Sequence, residues 1–82
     1  MSSILITGGA GYIGSHMTWL LNEAGHHVVV IDDLSSGNRN SIPRHLPFFE
    51  GSIRDKELLR HIFTSYKIDI VFHFAAYIDV GE

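Results

Sequence analysis

Short apolar runs alternate along this chain with stretches in which apolar residues return every three or four positions. Ile4 to Thr7 is fully apolar up to its last residue and rich in β-branched side chains, the pattern of a strand buried on both faces. Ile13, Met17, Leu20, Leu21 and Ala24 fall on one helical stripe, and Gly25 stands where the helix should stop. Val28 to Ile31 repeats the strand pattern and is closed by Asp32 and Asp33. Ser35 to His45 (SSGNRNSIPRH) reads as a polar loop rich in turn formers. Phe48 to Glu50 is a third candidate strand, introduced by Pro47 and stopped by Gly51. Leu58, Leu59, Ile62, Phe63 and Tyr66 then recur with helical spacing. Asp55 is placed to cap that helix, and Glu57 favours its first turn. Ile70 to Phe74 closes the series as a fourth buried strand.

Buried strands alternating with amphipathic helices predict parallel pairing through right-handed crossovers. The expected fold class is α/β, half of a doubly wound parallel (Rossmann) sheet with strand order 3-2-1-4. The later strands of such a sheet have no counterpart here, so residues 1–82 read as the N-terminal part of a cofactor-binding domain. On that reading Ile70 to Phe74 is an open edge, and self-association through it is expected.

The chemistry concentrates in LITGGAGYIG, Leu5 to Gly14. Its glycines satisfy both G-x-G-x-x-G and T-G-x-x-G-x-x-G. A bound pyrophosphate needs main-chain N–H groups and the positive end of a helix, and a Cβ at the tight turn blocks that approach. Gly8 suits the turn after the strand, Gly11 the close approach of the ligand, and Gly14 the packing of helix on strand. The motif follows a strand, opens a helix and precedes Asp32 at the end of the second strand, the context that gives it meaning. Asp32 is the expected acceptor for the adenosine ribose hydroxyls. Its charge repels a 2′-phosphate and no arginine directly follows it, which favours NAD over NADP.

Composition removes several other classes. With 82 residues there is room for one domain, and a chain this short buries only about 60% of its unfolded surface. An apolar fraction of 45% argues against disorder, and a net charge of −3 offers nothing to nucleic acid or an anionic membrane. Cysteine is absent, which removes disulfides, thiolate metal sites and thiol nucleophiles. The first residues carry neither a basic segment nor a long apolar one, so a cytoplasmic location is expected. His16, His26, His27, His45, His61 and His73 show no metal-ligand spacing. Trp19 falls off the apolar stripe of the first helix.

The segments TGGAGYIGSH, VVVIDDLSSGN, FFEGSIRD and VFHFAAYIDVGE together resemble the N-terminal part of the UDP-glucose 4-epimerase family, within the extended short-chain dehydrogenase/reductase superfamily. The resemblance covers nearly all of this chain and about a quarter of a full-length family member. It implies that Tyr12 and Ile13 present backbone N–H groups to the NAD pyrophosphate. Asp32 then takes the adenosine ribose, with Asp33, Ser36 and Gly37 around the same end. Ser52 and Ile53 border the adenine, and Phe74, Ala75 and Ala76 run beneath the cofactor, with Ile78 just beyond. Two positions depart from the family: Ser52 replaces an aspartate that accepts from the adenine amino group, and Ile78 replaces a lysine near the cofactor.

The family's reaction, as the resemblance implies it, uses a tyrosine as base on the sugar 4-hydroxyl. Hydride passes from C4 to NAD⁺ and returns to the other face of a 4-keto sugar, interconverting UDP-glucose and UDP-galactose. The tyrosine belongs to a Tyr-x-x-x-Lys pair whose lysine lowers its pKa. Here His16, Ile70 and Gly81 stand four positions after Tyr12, Tyr66 and Tyr77, so the pair is missing. The segment by itself is expected to be inactive, with weak NAD binding or none. Two other readings fit the glycine loop: a segment of an NAD-dependent sugar-nucleotide dehydratase or decarboxylase, and a small non-enzymatic nucleotide-binding or self-associating protein.

Overall fold

The computed structural model describes residues 2–34 and 38–74. Six of its seven elements build a βαβ unit and a second crossover: β1 (Ser3–Thr7), α1 (Tyr12–Glu23), β2 (His27–Asp32), then β3 (Phe48–Glu50), α2 (Lys56–Tyr66) and β4 (Ile70–His73), with a 3₁₀ turn at Arg39–Ser41. All pairings are parallel and the order is β3-β2-β1-β4. Leu5 is level with Val29 and Val71, and Asp32 with Glu50, so every strand ends on the same side of the sheet.

Alternation along the strands divides the core into two layers. Ile4, Ile6, Val28 and Val30 face α1 and pack with Leu21, Phe48, Phe72 and Phe74. Leu5, Val29 and Ile31 face α2 and pack with Leu58, Leu59, Ile62 and Tyr66. The predicted α2 holds in detail: Asp55 Oδ1 accepts from the Leu58 N–H at 3.1 Å, as a capping aspartate should. The end of α1 also fits. Gly25, at φ +93°, follows Ala24, and His26 N–H reaches Leu21 O while Gly25 N–H reaches Asn22 O, the paired bonds of a Schellman turn.

Three expectations need correction. The buried face of α1 runs through Gly14, Thr18 and Leu21, about one residue round from the predicted stripe, leaving Ile13 and Leu20 half exposed. The cause is proximity: a Cβ on Gly9 would lie 2.6 Å from Val30 Cγ1 and 3.2 Å from Thr18 Oγ1, so only small residues fit between helix and sheet. The stretch read as a polar loop contributes Ile42 to the α1-side core, and Leu46 just beyond it does the same. β4 is not buried. Ile70 and Val71 are 42% and 45% exposed, because β4 closes one end of the sheet and no described strand lies beyond it.

Candidate functional site

The turn after β1 is built by main-chain bonds. Gly8 takes φ +71°, a conformation open to glycine, and its N–H donates to Ile31 O at 2.9 Å. Gly11 N–H then closes the turn on Gly8 O at 3.1 Å. Gly14 packs directly on that carbonyl. A Cβ there would collide with Gly8 O and lie 2.9 Å from its carbonyl carbon. Buried Thr18 donates to Gly14 O within α1 at 2.7 Å and links the helix to the glycine loop through Gly9 O at 3.4 Å.

Gly11 is different. Its φ of −76° suits any residue, and a Cβ would find only Gly8 O within 4 Å, at 3.4 Å. Among the described residues nothing requires glycine here, so the space beside Gly11 is free for a ligand. It adjoins the N-terminus of α1, where no side chain caps the helix and no acidic residue sits in the first turn. The first intrahelical bond comes from Ser15 N–H to Gly11 O at 2.8 Å. The N–H groups of Tyr12, Ile13 and Gly14 precede that bond and remain available, at the positive end of the helix.

Asp32 closes the other wall. It is 8% exposed, and both oxygens serve the backbone: Oδ2 accepts from Ala10 N–H at 2.8 Å and Oδ1 from Leu34 N–H at 2.7 Å. A carboxylate has about four lone-pair sites, so capacity for hydroxyl donors remains. Asp32 O accepts from Gly51 N–H at 3.1 Å, which brings the turn after β3 alongside. In that turn Ser52 Oγ accepts from Arg54 N–H at 3.0 Å. On the far side Phe74 N–H extends the β1–β4 ladder to Thr7 O, and its ring stacks on Phe72 at 6.3 Å. Thr7 Oγ1 and His73 Nδ1 lie 2.6 Å apart, giving His73 a local partner.

This arrangement gathers backbone donors, a carboxylate and a sheet edge at the carboxyl ends of parallel strands. Around β1 the chain changes face: α1 leaves toward β2 on one side, and α2 returns to β4 on the other. Such a switch point is where open α/β sheets bind ligands. The model of the NAD dependent epimerase/dehydratase family matches residues 4–82. The chain belongs to that family.

Among relatives of this epimerase/dehydratase chain, UDP-glucose 4-epimerase of Neisseria meningitidis serogroup A is 46% identical over 89 residues, spanning 100% of this chain and 26% of its own length. The crystal structure of Thermus thermophilus UDP-glucose 4-epimerase in complex with NAD superposes with TM-score 0.82 at 40% identity, over 88% of this chain and 23% of that one. dTDP-glucose 4,6-dehydratase of Bacillus anthracis in complex with NAD superposes with TM-score 0.85 at 30% identity, over 90% of this chain and 26% of that one. The chain therefore spans about a quarter of the length of the relatives it matches.

Of the predicted site residues, Gly8, Gly11, Tyr12, Ile13, Gly14, Asp32, Asp33, Ser52, Ile53 and Phe74 all follow the carboxyl ends of the four strands or close them. Ser36, Gly37, Ala75, Ala76 and Ile78 lie outside the described residues. Sequence reasoning missed Ala10, whose N–H and C=O link Asp32 to Asn38, and Thr18, whose spacing from Gly14 marks it as facing inward. A cavity of about 460 Å³ lined by His26, His27, His45 and Tyr66 opens at the opposite ends of the strands, away from the motif. Among the described residues no three His, Asp or Glu side chains group as metal ligands, and no helix is long and apolar enough to cross a membrane.

Proposed function

We propose that this chain supplies the adenosine and pyrophosphate half of an NAD site in a UDP-glucose 4-epimerase. The observation that carries the reading is the uncapped N-terminus of α1 facing open space at Gly11, with Asp32 bonded to the same loop. The N–H groups of Tyr12, Ile13 and Gly14 hold the pyrophosphate, with Gly8 shaping the turn and Gly11 giving it room. Asp32, with Asp33, takes the ribose hydroxyls, and its charge disfavours a 2′-phosphate. Ser52 and Ile53 border the adenine, and Phe74 lies toward the nicotinamide side. NAD supplies a hydride acceptor for the sugar carbon. The base and its lysine lie outside these residues, so the segment alone binds without turnover.

Titration of the ¹⁵N-labelled chain with NAD tests this. Shifts confined to the Gly8–Gly14 and Asp32 amides, saturating more weakly than micromolar, are the expected result. Shifts scattered over α2, or none at millimolar NAD, contradict the reading. The likeness to the dehydratase keeps a second parent reaction in view, because the glycine loop and Asp32 serve either enzyme. We also propose that the 82-residue polypeptide self-associates through β4, on the evidence of exposed Ile70 and Val71 along the sheet end. Light scattering should give a mass above the monomer that falls in Ile70→Lys. A clean monomer at high concentration rejects it.

A further inference from the structure

We infer that Trp19 is a positioning residue for the adenosine side of this site, acting through the segment Asn38–Ile42. The inference rests on the NAD reading above. Trp19 is 45% exposed and contributes little to either core layer, yet its indole N–H donates to Ser41 O at 2.7 Å, across 22 residues of sequence. Ser41 N–H in turn donates to Asn38 O at 2.9 Å, and Asn38 N–H donates to Ala10 O at 3.0 Å. Ala10 then donates its own N–H to Asp32 Oδ2. An unbroken series of hydrogen bonds thus runs from the outer face of α1, through the connection after β2, to the glycine loop and the carboxylate proposed to take the ribose.

The segment needs such a hold. Ile42 is buried, but Asn38 and Asn40 are exposed, and the 3₁₀ turn is a single turn. Arg39 grips β3, with its guanidinium carbon 4.8 Å from the Phe48 ring centroid. Trp19 grips α1. Between them the turn is fixed against both the helix that offers the N–H groups and the strand beside Asp32. Positioning of this kind raises affinity by removing the ordering cost that a ligand must otherwise meet.

Amide exchange and NAD titration of the same ¹⁵N-labelled chain test the inference. In Trp19→Phe, which keeps a ring and loses the donor, exchange at Ala10, Asn38 and Ser41 should rise about threefold to tenfold, the range for one net hydrogen bond. Leu59 and Ile62 in α2 should not change. An equal rise in α2, or no rise at the three loop amides, overturns it. In the wild type, which holds a single tryptophan, the indole N–H resonance should move with NAD in step with Ala10. An indole that stays still while Ala10 moves also overturns it, and this reading needs no variant to fold. If no amide responds to NAD, the cofactor reading fails, and the exchange comparison alone decides whether Trp19 holds the loop.

Discussion

Gly14→Ala is expected to leave the chain largely unfolded, whereas Gly11→Ala should fold normally and fail to bind NAD. The two glycines are three residues apart in one motif, but different neighbours require them. At position 14 the added carbon meets backbone: Gly8 O in collision, Gly8 C at 2.9 Å and Gly9 Cα at 3.0 Å. No side chain can swing away, so α1 must lift off β1 and break the Thr18 bond to Gly9 O. Overpacking against rigid neighbours costs about 3 kcal/mol or more at its upper end. A domain of this size is stable by only roughly 4–12 kcal/mol, so the loss is a large share. At position 11 the carbon enters open space in an unstrained conformation, and removing a glycine there adds about 0.4–1 kcal/mol of stability. Urea denaturation should place Gly14→Ala far below the wild type and Gly11→Ala at or slightly above it. NAD should shift no amide in Gly11→Ala. Normal NAD shifts in that variant would mean that the cofactor does not approach Gly11.

The elements were legible because their cause is local. Short apolar runs rich in β-branched residues mark strands, and Asp55 and Gly25 mark helix ends through bonds to their own neighbours. Parallel order followed from strands alternating with helices. The rotation of α1 was not legible, because hydropathy ranks Ile13 and Leu20 above Gly14 and Thr18. Closeness to the sheet reverses that ranking: where backbones nearly touch, a small residue is the buried one. Ile42 and Leu46 were hidden for a related reason, since two apolar positions in a polar stretch have no period to reveal them. In the loop, the places of Gly8, Gly14 and Asp32 in the fold could be read from spacing alone. The link through Ala10 could not, because it is made by a peptide group, which no side-chain type announces.

Asp32→Asn should weaken both the fold and the choice of cofactor, and the second effect separates a binding role from a structural one. The carboxylate accepts at both oxygens, from Ala10 N–H and from Leu34 N–H. Asparagine has one acceptor oxygen, so its NH₂ group must face one of these donors, leaving an N–H without a partner in a site 8% exposed. That costs about 1–3 kcal/mol. If the Leu34 bond is the one lost, its left-handed conformation at φ +62° loses its support as well. Were Asp32 only a brace between β2 and the glycine loop, NAD and NADP would weaken together in proportion to that loss. A ribose acceptor predicts otherwise: NAD loses a charged partner for its hydroxyls, while NADP escapes repulsion of its 2′-phosphate. The ratio of the two dissociation constants should therefore move toward unity in Asp32→Asn, measured from amide shifts well below the unfolding transition. An unchanged ratio alongside the stability loss would reduce Asp32 to a brace and move ribose recognition elsewhere.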